Sequence, residues 1–387
     1  MHICFIAEHF HPPWTEGYQN TLREIVLLLQ KEMKISVISL STDIDHLTKW
    51  HSGGPNLNIH HIAASKPSLN IIRSTISVLK LLQSVAKKEK IDAVHVYNVK
   101  KGLFSLLIHR FLKKTVIVQV SKSLIPYNPN LQSKIHASID IQMLKYSGAR
   151  AFVVTSLSLK REMENLGFNK HDIIHIHPLV DTDKFRPMNR NKLLFQNGFG
   201  VGYFYIGYLG RIATGRGVME LFIAFKRLID CYPNIRLILA FSNSPSEGKY
   251  RIMFENYIKN SKLSNYIICL GTSNTVEKIY NMLDLVIVPL VGKTAVDPPL
   301  TLLEAMSCRK VVIASKIGDI PRIIKDGENG YLVSPGDINE LYEKIKFVVS
   351  HPETLDKVGN NARETILGKF SRKIIAKRYF ELYSTLG

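Results

Sequence analysis

DPPLTLLEAMSCRKVVIASKIGDIPRIIKDGENGYLVSPGD, residues 297–337, sets out the parts of a ligand site in one run of chain. Pro298 and Pro299 stand before a short helical pattern with a single acid, Glu304. A buried-looking apolar run follows at 311–315, then a Gly-Asp-Ile-Pro turn and a Gly-punctuated hairpin. Proline fits the first turn of a helix, where its missing N–H is no loss, and the free amides of that turn attract anions, phosphate above all. The same order also suits an ordinary βα repeat in which Glu304 is a solvated helix acid, so spacing alone leaves both readings open.

Outward from this stretch, short apolar runs alternate with helical patterns in both directions. Runs at 203–209, 236–241, 266–270, 285–289 and 311–315 each end in a polar or Gly/Pro loop before a helix. Upstream, 2–7, 35–40, 93–96, 116–120 and 151–155 read as strands. Leu22, Ile25, Val26 and Leu29 mark one helix and an amphipathic pattern over 70–88 another. Such alternation predicts an α/β protein with parallel sheets covered on both faces. The pattern pauses at 178–200, polar and without helical period, as an interdomain connection would.

A chain of 387 residues, against roughly 150 per domain, suggests two or three domains, and two large α/β lobes are the simplest fit. The expected bounds are 1–185 and 195–370, with 371–387 as a C-terminal helix free to cross back to the first domain. Open α/β sheets bind ligands at the carboxyl ends of their strands, so the space between two such sheets is the expected active site.

Composition narrows the classes. With 45% hydrophobic and 21% charged residues the chain is globular, without low-complexity tracts. No long uncharged apolar run suggests a membrane span or secretory signal. Cys4, Cys231, Cys269 and Cys308 lie far apart and read as buried thiols of a reducing cytoplasm rather than a zinc or disulfide framework. Of the net charge of +19, residues 66–150 hold fifteen basic against three acidic side chains, among them Lys87, Lys88, Lys90, Lys100, Lys101, Lys113 and Lys114. A patch of this kind attracts an anionic membrane surface, a lipid phosphate or nucleic acid, and it is also what a lysine-rich solvated face looks like. Nucleic acid is disfavoured: no helix-turn-helix, zinc-finger or RNP-like pattern is present, and aromatics do not interleave the cations.

Residues 207–217, GYLGRIATGRG, place Arg211 and Arg216 five residues apart around a strand-to-helix turn. Guanidinium groups meet phosphate oxygens in pairs, so two of them beside a helix start suit a pyrophosphate; solvated loop arginines are the plainer reading. Two D-x-D look-alikes, Asp43 with Asp45 and Asp181 with Asp183, are common loop patterns, and His171, His175 and His177 lack a fourth ligand, so no metal is expected.

The order Gly-Arg, four residues, Arg-Gly, then Asp284 in YNMLDLVIVPL, then TLLEAM, IGDIP and DGENGYLVSPGD resembles the family-4 glycosyltransferases of the GT-B fold over nearly the whole chain. VDTDKF at 180–185 and the Gly17 loop are weaker echoes. The resemblance implies two Rossmann-like domains facing across a cleft, and transfer of a hexose-type sugar from a nucleotide diphosphate donor with retained anomeric configuration. Arg211 and Arg216 would hold the pyrophosphate and Glu304 would accept from the ribose hydroxyls. The amides of Leu300, Thr301 and Leu302 would extend the clamp, Gly271 and Thr272 would match the base-binding loop, and Gly17 would let the first loop approach the diphosphate. The co-substrate is a nucleotide sugar, with no further cofactor.

Two departures stand out. The family pairs two glutamates with seven residues between them; here the first position is Val296, with Asp297 next to it as the candidate replacement. The family's histidine after an N-domain strand is also missing, since 116–120 runs into Ser121-Lys122-Ser123. His9 and His11 follow the first strand as turn histidines or acceptor contacts, and Lys122 suits an acceptor phosphate. The departing phosphate can itself take the acceptor proton. The expectation is a cytoplasmic glycosyltransferase, peripheral at the membrane face, with a lipid-linked or otherwise anionic acceptor. A sugar-nucleotide binding protein without catalysis is the alternative.

Overall fold

The computed structural model describes residues 1–8, 10, 17–41, 55–63, 71–97, 101–241, 248–261, 263–271, 273 and 275–386. The chain divides into two compact units, Met1–Leu179 with Arg372–Gly387, and Val180–Ser371.

In the first unit β1 (His2–Glu8), α1 (Gly17–Leu29), β2 (Lys34–Ser41), β3 (Leu57–Ala63), α2 (Ile71–Lys88), β4 (Ala93–Tyr97) and α3 (Lys101–Leu112) follow one another. Then come β5 (Thr115–Val120), α4 (Leu131–Lys145), β6 (Ala151–Val154), α5 (Leu157–Asn165) and β7 (Ile173–His175). The strands form a parallel sheet of seven, among the described residues, in the order β3-β2-β1-β4-β5-β6-β7. Strand side chains alternate between faces, and both faces are apolar. Cys4 and Ile6 join a core with Val78 and Leu82 of α2, Ile141 and Leu144 of α4 and Leu159 of α5. Ile3, Phe5 and Ala7 join another with Leu22, Ile25, Val26 and Leu29 of α1.

The second unit contains α6 (Arg190–Gln196), β8 (Phe204–Leu209), α7 (Val218–Leu228), β9 (Ile235–Ala240), α8 (Gly248–Asn260), β10 (Ile267–Leu270) and α9 (Val276–Met282). It continues through β11 (Leu285–Val288), α10 (Leu300–Ser307), β12 (Val311–Ser315), α11 (Ile320–Ile323), β13 (Tyr331–Val333), α12 (Ile338–Ser350) and α13 (Thr354–Lys369). Its sheet, again parallel, runs β10-β9-β8-β11-β12-β13. The chain then returns as α14 (Arg372–Leu386), whose Ile375, Tyr379, Leu382 and Tyr383 are buried with α1 in the first unit. Polar ties fix the dock: Arg372 pairs with Glu24, Tyr379 Oη donates to Gln119 Oε1 at 3.2 Å, and Tyr383 Oη lies 2.8 Å from His95 Nδ1. Burial pushes His95 down to about 3, so its ring is a neutral structural partner.

Four expectations need correction. Residues 178–200 are not a plain connection: Val180, Phe185, Leu193 and Leu194 are buried in the second core, and α6 lies among them. The units therefore divide after Leu179 rather than at 185. A single seven-residue helix between isolated apolar side chains leaves too little period to read. The Gly-punctuated hairpin is a tight turn, Gly327 N donating to Gly330 O at 2.9 Å, but β13 then pairs parallel to β12. The short α11 carries the chain across between the two strands. Strand β3, LNIHHIA, has no counterpart in the sequence reading; it is a partly exposed edge strand with two central histidines. Finally, Cys4 and Cys308 are buried but Cys231 and Cys269 are exposed.

Candidate functional site

In the second sheet β9 lies on one side of β8 and β11 on the other. Strand order thus reverses at β8, and open α/β sheets receive ligands at such a switch point, beyond the carboxyl ends of β8 and β11. The loops leaving these two strands are bound together. Val291 N and Gly292 N donate to Gly215 O at 3.0 and 3.3 Å, and Arg216 Nη2 donates to Thr294 O at 3.1 Å. Gly217, the N-cap of α7, has φ +73°, and a Cβ there would stand 1.6 Å from Pro289 O. Only glycine allows that approach. Arg211 is half-buried in the same loop, its carbonyl accepting from Tyr208 Oη at 2.5 Å.

The β11 loop leads into α10, whose N-cap is Pro299. Both prolines thus precede the first turn rather than entering it. Leu302 N and Leu303 N bond Pro299 O at 3.2 and 3.4 Å. Of the three amides expected to face an anion, Leu302's is therefore turned inward. Those of Leu300 and Thr301 have no intramolecular acceptor among the described residues.

Glu304 follows one turn later, partly exposed. Tyr280 Oη of α9 donates to its Oε2 at 3.0 Å, and a Lys184–Glu277 ion pair of 3.7 Å lies beside it. Burial pushes its carboxyl up to about 7, against the Tyr280 hydrogen bond and the Lys184 charge, with Glu277 adding to the rise. Tyr280 is in turn raised well above the usual phenol value by burial and by Glu304. The sequence reading missed Tyr280, Glu277 and Lys184. Lys184 comes from the stretch taken for a connector, held to α9 by Asn281, which accepts from Met188 N and donates to Arg186 O.

Asp297 lies half-buried at the foot of the β11 loop, and its Oδ1 accepts the amide of Asp319 at 2.9 Å. Gly318 has φ +59°, and a Cβ on it would stand 2.3 Å from the same oxygen. Asp297 thus ties the β11 loop to the Gly-Asp-Ile-Pro turn after β12. Asp319 itself is buried and pairs with Arg322 at 3.6 Å.

The remaining candidates are scattered. Gly271 is exposed at the end of β10, with nothing within 4 Å of where a Cβ would stand. Gly17 opens α1. Thr272, His9, His11, Asp43, Asp45 and Lys100 lie outside the described residues. Asp181 Oδ1 accepts from the amides of Asp183 and Lys184, both at 3.1 Å, an Asx turn. Asp284 precedes β11, at the amino edge of the sheet and away from the carboxyl ends, bonding Arg190 at 2.6 Å and Tyr205 N at 2.8 Å. His175 and His177 stack edge to face at 4.3 Å. Lys122 is exposed just beyond the carboxyl end of β5, where Glu162 fixes the loop by accepting from Ser123 Oγ at 2.9 Å and Leu124 N at 2.8 Å. Lys87, Lys88, Lys90 and Lys113 are exposed at the amino edge of the first sheet, because helices α2 and α3 end where β4 and β5 begin.

Two family profiles match, one on each unit. That described as Glycosyltransferase Family 4 covers residues 16–184, and that described as Glycosyl transferases group 1 covers 189–365. The capsular polysaccharide biosynthesis glycosyltransferase CapM of Staphylococcus aureus is 23% identical over 94% of this chain and 92% of its own. The N-acetyl-alpha-D-glucosaminyl L-malate synthase of Bacillus anthracis is 21% identical over 85% of this chain and 84% of its own. Among solved structures, HepE of Anabaena in complex with UDP and glucose superposes with a TM-score of 0.83 at 18% identity, covering 99% of both chains. The sucrose-phosphate synthase of Thermosynechococcus elongatus gives 0.85 at 18% identity over 100% of this chain and 99% of its own.

Proposed function

The chain belongs to the group 1 glycosyltransferases of family 4, and we propose that it moves a hexose-type sugar from a nucleoside diphosphate sugar to a lipid-linked or otherwise anionic acceptor with retention at the anomeric carbon. One observation carries this reading: Arg216, tied to Thr294, and the unbonded amides of Leu300 and Thr301 belong to the two loops joined at the β8–β11 switch point, with Glu304 one turn further on. Cleaving the sugar C1–O bond sends its electron pair to the departing diphosphate. Cations and amide dipoles already aimed there stabilise that charge without reorganising. The acceptor oxygen bonds to C1 on the face the diphosphate leaves, and its proton passes to a departing phosphate oxygen, so no protein base is required.

Arg211 and Arg216 take the pyrophosphate, Glu304 the ribose hydroxyls, and Gly271 with Thr272 the base. These side chains and amides meet the leaving charge, so no step is assigned to a metal. HepE was solved with UDP-glucose, which makes that compound the first donor to try. Lys122, exposed at the ligand edge of the first sheet, suits a phosphate on the acceptor. No described helix is long and apolar enough to cross a membrane; a lipid-linked acceptor would be met at the membrane surface. Because Asp297 has one oxygen committed to Asp319, a second reading keeps the donor site without turnover.

The test is thermal stabilisation by UDP-, GDP- and ADP-sugars, since a ligand held only by the folded state raises the melting temperature. One class should stabilise the wild type, and Arg211→Ala and Arg216→Ala should each abolish the shift while still unfolding cooperatively, Arg216→Ala with the loss of about 1 kcal/mol that its bond to Thr294 O supplies. Equal stabilisation of wild type and both variants would refute the site.

A further inference from the structure

Helix α4 is apolar on two opposite faces. Ile141 and Leu144 are buried in the first core. The other face carries Leu131, Ile135 and Ile139, spaced four apart, at 75%, 51% and 50% exposure, with Tyr146 at the C-cap 77% exposed. Ile125 and Tyr127, in the loop leading to the helix, are 50% and 42% exposed. Single exposed apolar residues are ordinary; six that share one helix face and its entry loop form a patch of the kind that marks an interaction surface.

Charge decides which surface. Residues 101–150 hold eight basic side chains against one acid, Asp140. Lys134 flanks the stripe on the helix itself and is exposed. At the far end α3 packs beside α4, its His109 against Gly148, which brings Arg110, Lys113, Lys145 and Arg150, all exposed, around Tyr146. An apolar stripe rimmed by cations, with an aromatic at the boundary, is the pattern of a helix lying in a membrane interface. The near end has its own meaning. Ile125, Tyr127 and Leu131 follow β5, at the carboxyl edge of the sheet where α/β domains receive ligands, next to Lys122.

We propose that the outer face of α4, with the loop at Ile125 and Tyr127, docks on an anionic lipid bilayer. The acyl chains take Leu131, Ile135 and Ile139, and the headgroup phosphates meet Lys134, Arg110, Lys113 and Arg150. The docked helix lies along the bilayer with its N-terminal end at the ligand edge of the first sheet, so a lipid-linked acceptor reaches Lys122 without leaving the membrane. Docking deepens the acceptor side of the proposed function and rests on it only for this route; binding to lipid is measured without donor or acceptor.

The test is flotation of the full chain with phosphatidylglycerol-containing vesicles and with phosphatidylcholine vesicles, for wild type and for Leu131→Ser/Ile135→Ser/Ile139→Ser. The three positions are exposed, so the variant should keep the wild-type melting curve and its stabilisation by sugar nucleotide. Expected is binding of the wild type to the anionic vesicles, weakened about tenfold or more in the variant, and weaker binding to the zwitterionic ones. An Ile135→Trp variant should show a blue-shifted emission, quenched by brominated lipid, on adding anionic vesicles. Wild type that ignores both vesicle types, a triple variant that binds as well as wild type, or a wild-type dimer that the triple variant turns into a monomer would overturn the proposal; the last would mean that the stripe covers a second copy. A wild type that binds anionic vesicles but is stabilised by no sugar nucleotide would leave docking standing and remove the catalytic reading instead.

Discussion

Glu304→Gln should make the free protein more stable and the donor complex weaker. The Glu304 carboxyl rises from its ordinary 4.5 to about 7, chiefly because burial penalises its charge. At about 1.36 kcal/mol per pH unit this difference corresponds to about 3 kcal/mol of destabilisation in the ionised state. Water reaching the partly exposed residue trims that to about 2 kcal/mol. The sign follows from proton uptake. Between 4.5 and about 7 the folded protein holds a proton that the unfolded chain has lost, so stability falls as pH rises through this window; the penalty is complete above it and absent below it. Glutamine keeps an oxygen for Tyr280 Oη and removes the charge. Urea unfolding at about pH 8 should therefore show the variant more stable by about 2 kcal/mol, an advantage that disappears near about pH 4.5. Titration calorimetry at about pH 8 should show donor affinity lower by about 2 kcal/mol, roughly thirtyfold, because hydrogen bonds from ribose hydroxyls to a carboxylate are stronger than to an amide. A variant no more stable than wild type at high pH, or one binding donor equally well, would refute the reasoning.

Gly217→Ala should lower stability by about 2–4 kcal/mol in urea unfolding and weaken donor binding, because its methyl group would collide with Pro289 O and part the loop that carries Arg216 from the β11 loop; wild-type stability would mean that the loops are not held there. Asp297→Asn should melt like wild type, since an amide oxygen can still accept from Asp319 N, whereas Asp297→Ala should lose about 1 kcal/mol; equal melting of the two would remove the tie. Tyr383→Phe should likewise cost about 1 kcal/mol by breaking the bond to His95, and calorimetry should find donor affinity unchanged because Arg211, Arg216 and Glu304 belong to the other unit.

The order of strands and helices was legible because both sheets are parallel and doubly covered, so each central strand appears as a short apolar run between loops. Strand β3 was not, since an edge strand half in solvent tolerates Asn58, His60 and His61. Nor was α6, whose two buried leucines are too few to set a helical period. At the site, glycine and arginine spacing pointed to the loops that the structure ties together. The environment of Glu304 could not be read in the same way: Tyr280 and Lys184 stand 24 and 120 positions away, and a buried tyrosine with a carboxylate partner looks in sequence like any core aromatic. Asp297 shows the opposite limit. Its position beside Val296 suggested a sugar ligand, while its tie to Asp319 depends on a turn that only the fold brings near.

The most direct test of the account is turnover. Supplied with the sugar nucleotide that stabilises it and with anionic vesicles carrying a lipid-linked acceptor, the wild type should release nucleoside diphosphate in step with a glycosylated lipid whose anomeric configuration matches the donor's, and Arg216→Ala should release none. Tight sugar-nucleotide binding with no product from any acceptor, or a product of inverted configuration, would contradict it.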